Sequence, residues 1–282
     1  MMVLPTFLKR GASEFDLGAA RFMANLSSLA YNEREKAFPE LVAQGAKEAT
    51  FFSKNGTHCI LVDFGAFRVV VFRGTEAHGT KDILASLKFF KRRLHKETPE
   101  IKGAKVHGGF ITALDQIWHD LYPKIASQNT PLYITGHGLG GALAVLLAGA
   151  RISCEARSPV KDNLAAVYSF GCPRVGNNAF AKFMDHGIDQ EQGINHHRIV
   201  NCTDIVTLLP LLSLRYRHSG NLHYINSIGK INIGISLSEQ LRDQAFSAIN
   251  SLWDGDGLKG WLPWHLFAAH SIALYCRRLD ES

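Results

Sequence analysis

The residues whose types and spacing bear most directly on chemistry lie in one short stretch. Tyr133 to Gly149 reads YITGHGLGGALAVLLAG, an apolar run, a corner dense in glycine, and then small and apolar residues of helical character. Gly136, His137, Gly138, Leu139 and Gly140 match the frame G-x-S-x-G, in which a serine hydroxyl stands at a sharp strand-to-helix turn and attacks an acyl carbon. In this chain glycine holds the central position, so the frame is complete and the attacking oxygen is missing. A helix leaving a strand through such a corner packs closely on the sheet, and Gly140, Gly141, Ala142 and Ala144 permit that approach. Its first turn presents unpaired backbone N–H groups, a site for a developing negative charge, and Leu139 supplies one such donor.

A corner of this kind needs a sheet and helices to hold it. Between Phe15 and Tyr31, Leu17, Ala20, Met23, Leu26, Leu29 and Ala30 recur at helical spacing. The period then changes. HCILVDF and FRVVVFRG are β-branched and aromatic runs joined at Gly65, as in a hairpin. After an irregular segment, Phe110, Ala113, Leu114, Ile117, Leu121 and Ile125 form one helical stripe. The strand Leu132 to Thr135, the helix Gly141 to Ala150 and the strand Ala165 to Phe170 follow. Strands alternating with helices predict an α/β fold with a mostly parallel central sheet and helices on both faces.

With 282 residues, 46% of them hydrophobic, the chain can bury a large core, and one domain over residues 1–282 is the simplest organisation. The clusters around Ser53 to Thr57 and Asp254 to Gly260 read as turns rather than linkers, and there is no internal repeat. A net charge of +6 permits contact with an anionic surface but gives no argument for nucleic acid. The basic run KFFKRRLHK, Lys88 to Lys96, reads either as an amphipathic segment at a lipid interface or as a solvated face with apolar anchors. Cys59, Cys154, Cys172, Cys202 and Cys276 are scattered without metal-ligand or disulfide spacing and read mainly as buried thiols. The opening MMVLPTFLKR is too short an apolar run for a signal peptide, and no stretch approaches a transmembrane segment. A soluble chain is expected, its compartment unspecified.

Six blocks carry a resemblance: VFRGT, VHGGF, GHGLGGALA, SFGCPRVGNNAFA, NCTDIVTLLP and HSIALY. In order and rough spacing, from Val71 to Tyr275, they resemble the fungal-type (class 3) triacylglycerol lipase family, a branch of the α/β-hydrolases; ANLSSLAYN is similar to that family's opening helix. The resemblance implies hydrolysis of carboxylic esters, acylglycerols or related lipid esters, with no cofactor and no metal. It places the nucleophile, acid and base at Gly138, Asp204 and His270. His270 would act as general base and then general acid, with Asp204 fixing its tautomer and stabilising the imidazolium. Thr75 would join Leu139 in an oxyanion hole.

Each assignment has a plainer competitor. Asp204 reads equally as a helix-capping aspartate and His270 as a packed helix histidine, with His223 and His265 as rival bases. His137 reads as packing, and Thr75 alone would be a turn residue. The family also places a lid over the acyl pocket, here in residues 78–103, with Ile83, Leu84, Leu87, Phe89 and Phe90 as its apolar surface. This chain carries Ile83 and Ser86 where family members often have a tryptophan and a following acidic residue. Trp261 and Trp264 form a second apolar patch, suited to acyl chains or to the core, and DGDG at Asp254 to Gly257 reads as a turn rather than a calcium loop.

Two explanations of Gly138 compete. Either glycine has replaced serine in an otherwise intact esterase, or the chain is a natural non-catalytic lipid-binding relative. The retained contexts of Asp204, His270 and Thr75 favour the first. Expected partners are a lipid or small acyl ester and, transiently, a lipid interface.

Overall fold

The structure, a computed structural model, describes residues 15–75, 90–94, 101–154, 159–190, 193–236, 238–244 and 269–282. Its centre is the run RVVVF, strand β3 (Arg68–Phe72), in which every residue is buried. Buried on both faces, such a strand reads as a continuous apolar run rather than an alternation. Val69 and Val71 enter the core beneath helices α1 (Leu17–Leu29) and α6 (Ile272–Glu281). Val70 and Phe72 point the other way, into the core covered by α3 (Gly108–Ala126) and α4 (Leu139–Leu146). Successive side chains thus feed the two layers of a sheet sandwiched by helices.

The sheet has the order β1-β2-β3-β6-β7-β8-β9-β10, with β1 at Glu48–Lys54, β2 at Thr57–Asp63, β6 at Leu132–His137, β7 at Leu164–Phe170, β8 at Asn195–Asn201, β9 at Asn221–Ile225 and β10 at Ile231–Ile233. From β3 to β9 the pairings are parallel, and both edges finish as antiparallel hairpins. Strands β4 (Lys91–Arg93) and β5 (Lys105–His107) form a separate small ribbon leading into α3. The mostly parallel sheet with helices on both faces, expected from the alternation of strands and helices, is therefore the one observed.

Local chemistry accounts for the element ends. Asp16 caps α1 by accepting the Ala19 N–H at 2.8 Å, and β2 turns into β3 through Gly65, whose φ of 82° suits glycine. The buried Arg68 guanidinium donates to the carbonyls of Ile125 at 3.1 Å and Gln128 at 2.8 Å, which ties the end of α3 to the start of β3. The Ser53 to Thr57 cluster is the tight β1-β2 turn, with Asn55 and Gly56 both at positive φ.

Two elements escape the periodicity reading. Helix α2 (Arg34–Ala43) buries only Ala37 and Leu41 and contains Pro39, so it has no apolar stripe. Edge strand β1 is half-exposed throughout and shows no apolar run. Of the basic run Lys88 to Lys96, residues 90–94 are described, and they combine an exposed Phe90 with anchored cations. Lys91 bonds the Leu214 carbonyl and sits 4.4 Å from the Tyr216 ring centroid, Arg92 pairs with Asp115 at 3.5 Å, and Leu94 is buried. Four cysteines are buried and all five are free thiols. The lid residues Ile83 to Phe89, the Asp254 to Gly260 cluster, Trp261, Trp264 and His265 lie outside the described residues. Among the described residues no helix is long and apolar enough to cross a membrane.

Candidate active site

Strand β6 and helix α4 meet at Gly138, whose φ of 58° and ψ of −121° are strained for any residue with a side chain. Its N–H donates to the Phe170 carbonyl at 2.9 Å, so the corner is pinned to the end of β7. The close packing anticipated from small residues is present: a Cβ on Gly140 would stand 2.3 Å from the Phe72 carbonyl oxygen. Leu139 is the first residue of α4, and its N–H lies in the unpaired first turn.

Asp204 follows β8, and it is a capping aspartate as well as an ion-pair partner. Its Oδ1 accepts the Val206 N–H at 2.9 Å, as a cap should. Its Oδ2 accepts from His270 Nδ1 at 2.8 Å and from the Tyr275 hydroxyl at 2.7 Å. The carboxylate side chain is fully buried, and three donors satisfy its oxygens in place of water. Tyr275, in turn, accepts the Asn201 N–H at 3.0 Å. Burial, and then the neighbouring Asp204 charge, holds its phenol well above the ordinary tyrosine value, so it stays a neutral donor.

His270 does not sit inside a helix. It precedes α6 by two residues, on a segment fastened at several points. Asn201 Nδ2 donates to the Ala269 carbonyl at 3.0 Å, and His137 Nε2 donates to the His270 carbonyl at 2.5 Å. Tyr31 donates to His137 Nδ1 at 2.8 Å. Burial, followed by the neighbouring His270, holds His137 well below its ordinary value, so it remains neutral with the proton on Nε2. His137 therefore does more than pack: it grips the backbone of the histidine segment.

The side chain that Gly138 lacks would run into the His270 ring. A Cβ there would meet His270 Nε2 at 2.8 Å and Cε1 at 3.3 Å, so the ring stands closer to the corner than a side chain at 138 would allow. At the end of β7, a Cβ on Gly171 would lie 2.6 Å from Asp204 Oδ2. The three sequence-predicted stations thus converge from the ends of β6 and β8 and from the C-terminal segment. Beside them is a cavity of about 240 Å³ whose walls include Thr75, Phe110, Leu139, Val206, Leu209 and His270. The rival base His223 is occupied elsewhere, bonded to His197 at 3.0 Å and stacked on Phe15.

Sequence reasoning missed Tyr31, Asn201 and Tyr275. All three lie within or beside the blocks ANLSSLAYN, NCTDIVTLLP and HSIALY. Nothing in their local pattern separates a hydrogen-bonding tyrosine or asparagine from an ordinary core or strand residue, because their partners are remote in sequence.

A parallel sheet flanked by helices, with a sharp β6-α4 corner facing an acid-histidine pair from later in the chain, defines an α/β-hydrolase. Residues 69–214, over half of the chain, match the Lipase (class 3) family, and the chain belongs to that family. A lipase of Rhizopus niveus is 34% identical over 177 residues, covering 60% of this chain and 41% of the relative. The chain thus spans about two fifths of that relative's length. The solved lipase of Rhizopus microsporus var. chinensis superimposes with a TM-score of 0.61 at 28% identity, covering 74% of each chain. The Rhizomucor miehei triacylglyceride lipase gives 0.61 at 25% identity over 74% of this chain and 80% of its own.

Proposed function

We propose that this chain is a carboxylic ester hydrolase of the lipase type, acting on acylglycerols or related lipid esters through Gly138, Asp204 and His270, with glycine where the nucleophilic serine belongs. The observation that carries the reading is the Asp204 Oδ2 to His270 Nδ1 hydrogen bond of 2.8 Å, formed with the opposite ring nitrogen turned to the Gly138 corner. In this mechanism a serine at position 138 gives its proton to His270 Nε2 as it attacks, and Asp204 stabilises the imidazolium. The N–H of Leu139 and the backbone and hydroxyl of Thr75 face the developing oxyanion, an arrangement supported by both residues lining the cavity with His270.

Lipid esters are favoured as substrates by the cavity's surroundings. Leu209 lines the cavity, and its neighbours Leu208, Leu211, Leu212 and Leu214 are exposed at 44%, 56%, 51% and 39%. Contiguous exposed leucines of this kind suit a lipid surface, and Arg215 and Arg217 follow directly in sequence. Without a hydroxyl at 138 the acyl-enzyme route is closed.

The test is Gly138→Ser. The variant should hydrolyse p-nitrophenyl butyrate and tributyrin through an acyl-enzyme, with a rise of about 1,000-fold or more over the native chain. Non-glycine strain at the corner should cost it about 1–3 kcal/mol of stability. A folded serine variant that hydrolyses neither ester while the native chain binds lipid would replace this reading with that of a non-catalytic lipid-binding relative.

A further inference from the structure

The glycine that closes the serine route lets the base stand directly against the corner. Asp204 Oδ2 already accepts from Tyr275, and a carboxylate only accepts, so the proton of the His270 contact sits on Nδ1. The lone pair is then on Nε2. That nitrogen stands 2.8 Å from the point a Cβ on Gly138 would occupy, closer than a side chain there would allow, so it abuts the bare glycine backbone. The His270 ring also lines the cavity of about 240 Å³ together with Leu139 and Thr75, which gives a water molecule a place beside it.

We propose that this chain, as it stands, hydrolyses activated acyl esters by single displacement, with His270 drawing a proton from a water molecule that takes the place of the serine hydroxyl. The proposal rests on the reading of Asp204 and His270 given above. In the first step the water oxygen bonds to the acyl carbon while one of its protons passes to Nε2, and the carbonyl electrons move onto the oxygen facing Leu139 and Thr75. In the second, the carbonyl re-forms, the bond to the leaving aryloxide or alkoxide breaks, and the imidazolium returns its proton to that oxygen. Ester and water become acid and alcohol, no acyl-enzyme is formed, and His270 ends as it began.

The native chain, purified beside its variants, is assayed with p-nitrophenyl butyrate at pH 8, with and without a p-nitrophenyl alkylphosphonate that modifies serine hydrolases. Hydrolysis above the buffer blank is expected, unaffected by the phosphonate and reduced roughly 100-fold or more in His270→Gln, the range that a positioned general base contributes. Gly138→Ala, whose methyl would collide with Nε2 and push the ring from its place, should lose the activity as well, and Asp204→Asn should reduce it if His270→Gln proves poorly folded. Phosphonate inhibition of the native rate, an equal rate in folded His270→Gln, or a butyryl group recovered on His270 by mass spectrometry would each overturn the proposal. If Gly138→Ser is active and phosphonate-sensitive while the native chain is inert, only this inference falls. If both are folded and inert, the esterase reading falls with it.

Discussion

Tyr275→Phe isolates one oxygen atom and tests whether the acid of the site is held by the protein or by chance packing. The ring is fully buried, and phenylalanine fills the same volume, so no cavity accompanies the change. Two hydrogen bonds disappear together: the donation to Asp204 Oδ2 at 2.7 Å and the acceptance of the Asn201 N–H at 3.0 Å. A hydrogen bond to a charged group contributes about 1.5–3 kcal/mol, and an orphaned buried N–H costs about 1–3 kcal/mol. Because one oxygen serves both, the costs are not independent, and a net loss of about 3 kcal/mol is expected. For a domain of this size that corresponds to roughly 6–12 °C in Tm. Urea unfolding at pH 7.5 should show a lower midpoint with an unchanged slope. Since burial and Asp204 keep the phenol well above its ordinary value, the cost should be the same from pH 6 to pH 9. A loss under about 1 kcal/mol, or one that fades across that range, would refute the donor role of Tyr275 toward Asp204.

The other predictions concern neighbouring parts of the molecule. His137→Leu should lower stability by about 2 kcal/mol by stranding the Tyr31 hydroxyl and the His270 carbonyl, and His137→Gln should recover part of it; equal losses in thermal melts would show that only ring packing matters. Burial pushes His107 and His197 down to about 4 and His196 and His223 down to about 3. Their folded pKa values are depressed, so below about 6.5 the unfolded chain binds protons that the folded chain refuses. Stability is then full above that pH and falls as pH drops toward 4, by up to about 1.4 kcal/mol per pH unit for each histidine. A urea midpoint that stays level from pH 7.5 to pH 5 would contradict this. Leu211→Asp with Leu212→Asp should reduce co-sedimentation with anionic phosphatidylglycerol vesicles several-fold while leaving the Tm within about 2 °C, because both side chains are exposed; unchanged vesicle binding would remove these leucines from the lipid-facing surface.

Much of the architecture was legible along the chain because burial writes itself into local periodicity. FRVVVFRG read as a strand, and the stripe from Phe110 to Ile125 read as a helix with one buried side. Helix α2 and strand β1 were not legible because each is anchored by few buried groups, so their patterns resemble those of turns. At the site, the glycine corner announced itself through residues adjacent in sequence. Asp204 did not: as a cap to Val206 and as partner to His270 it has the same local sequence, and only the approach of the C-terminal segment adds the second role.

By itself the sequence determined the alternation of strands and helices, the tight corner at Gly138 and the absence of an attacking hydroxyl there, since each depends on residue type and near neighbours. Tertiary structure alone decided which histidine faces that corner, which oxygen of Asp204 it meets, and that Tyr31, His137 and Tyr275 hold the pair in place. Those contacts join positions 66 to 133 residues apart. Hydrogen bonds of such span are set by how the sheet brings strand ends together, and a chain carries no local mark of a partner it meets only after folding.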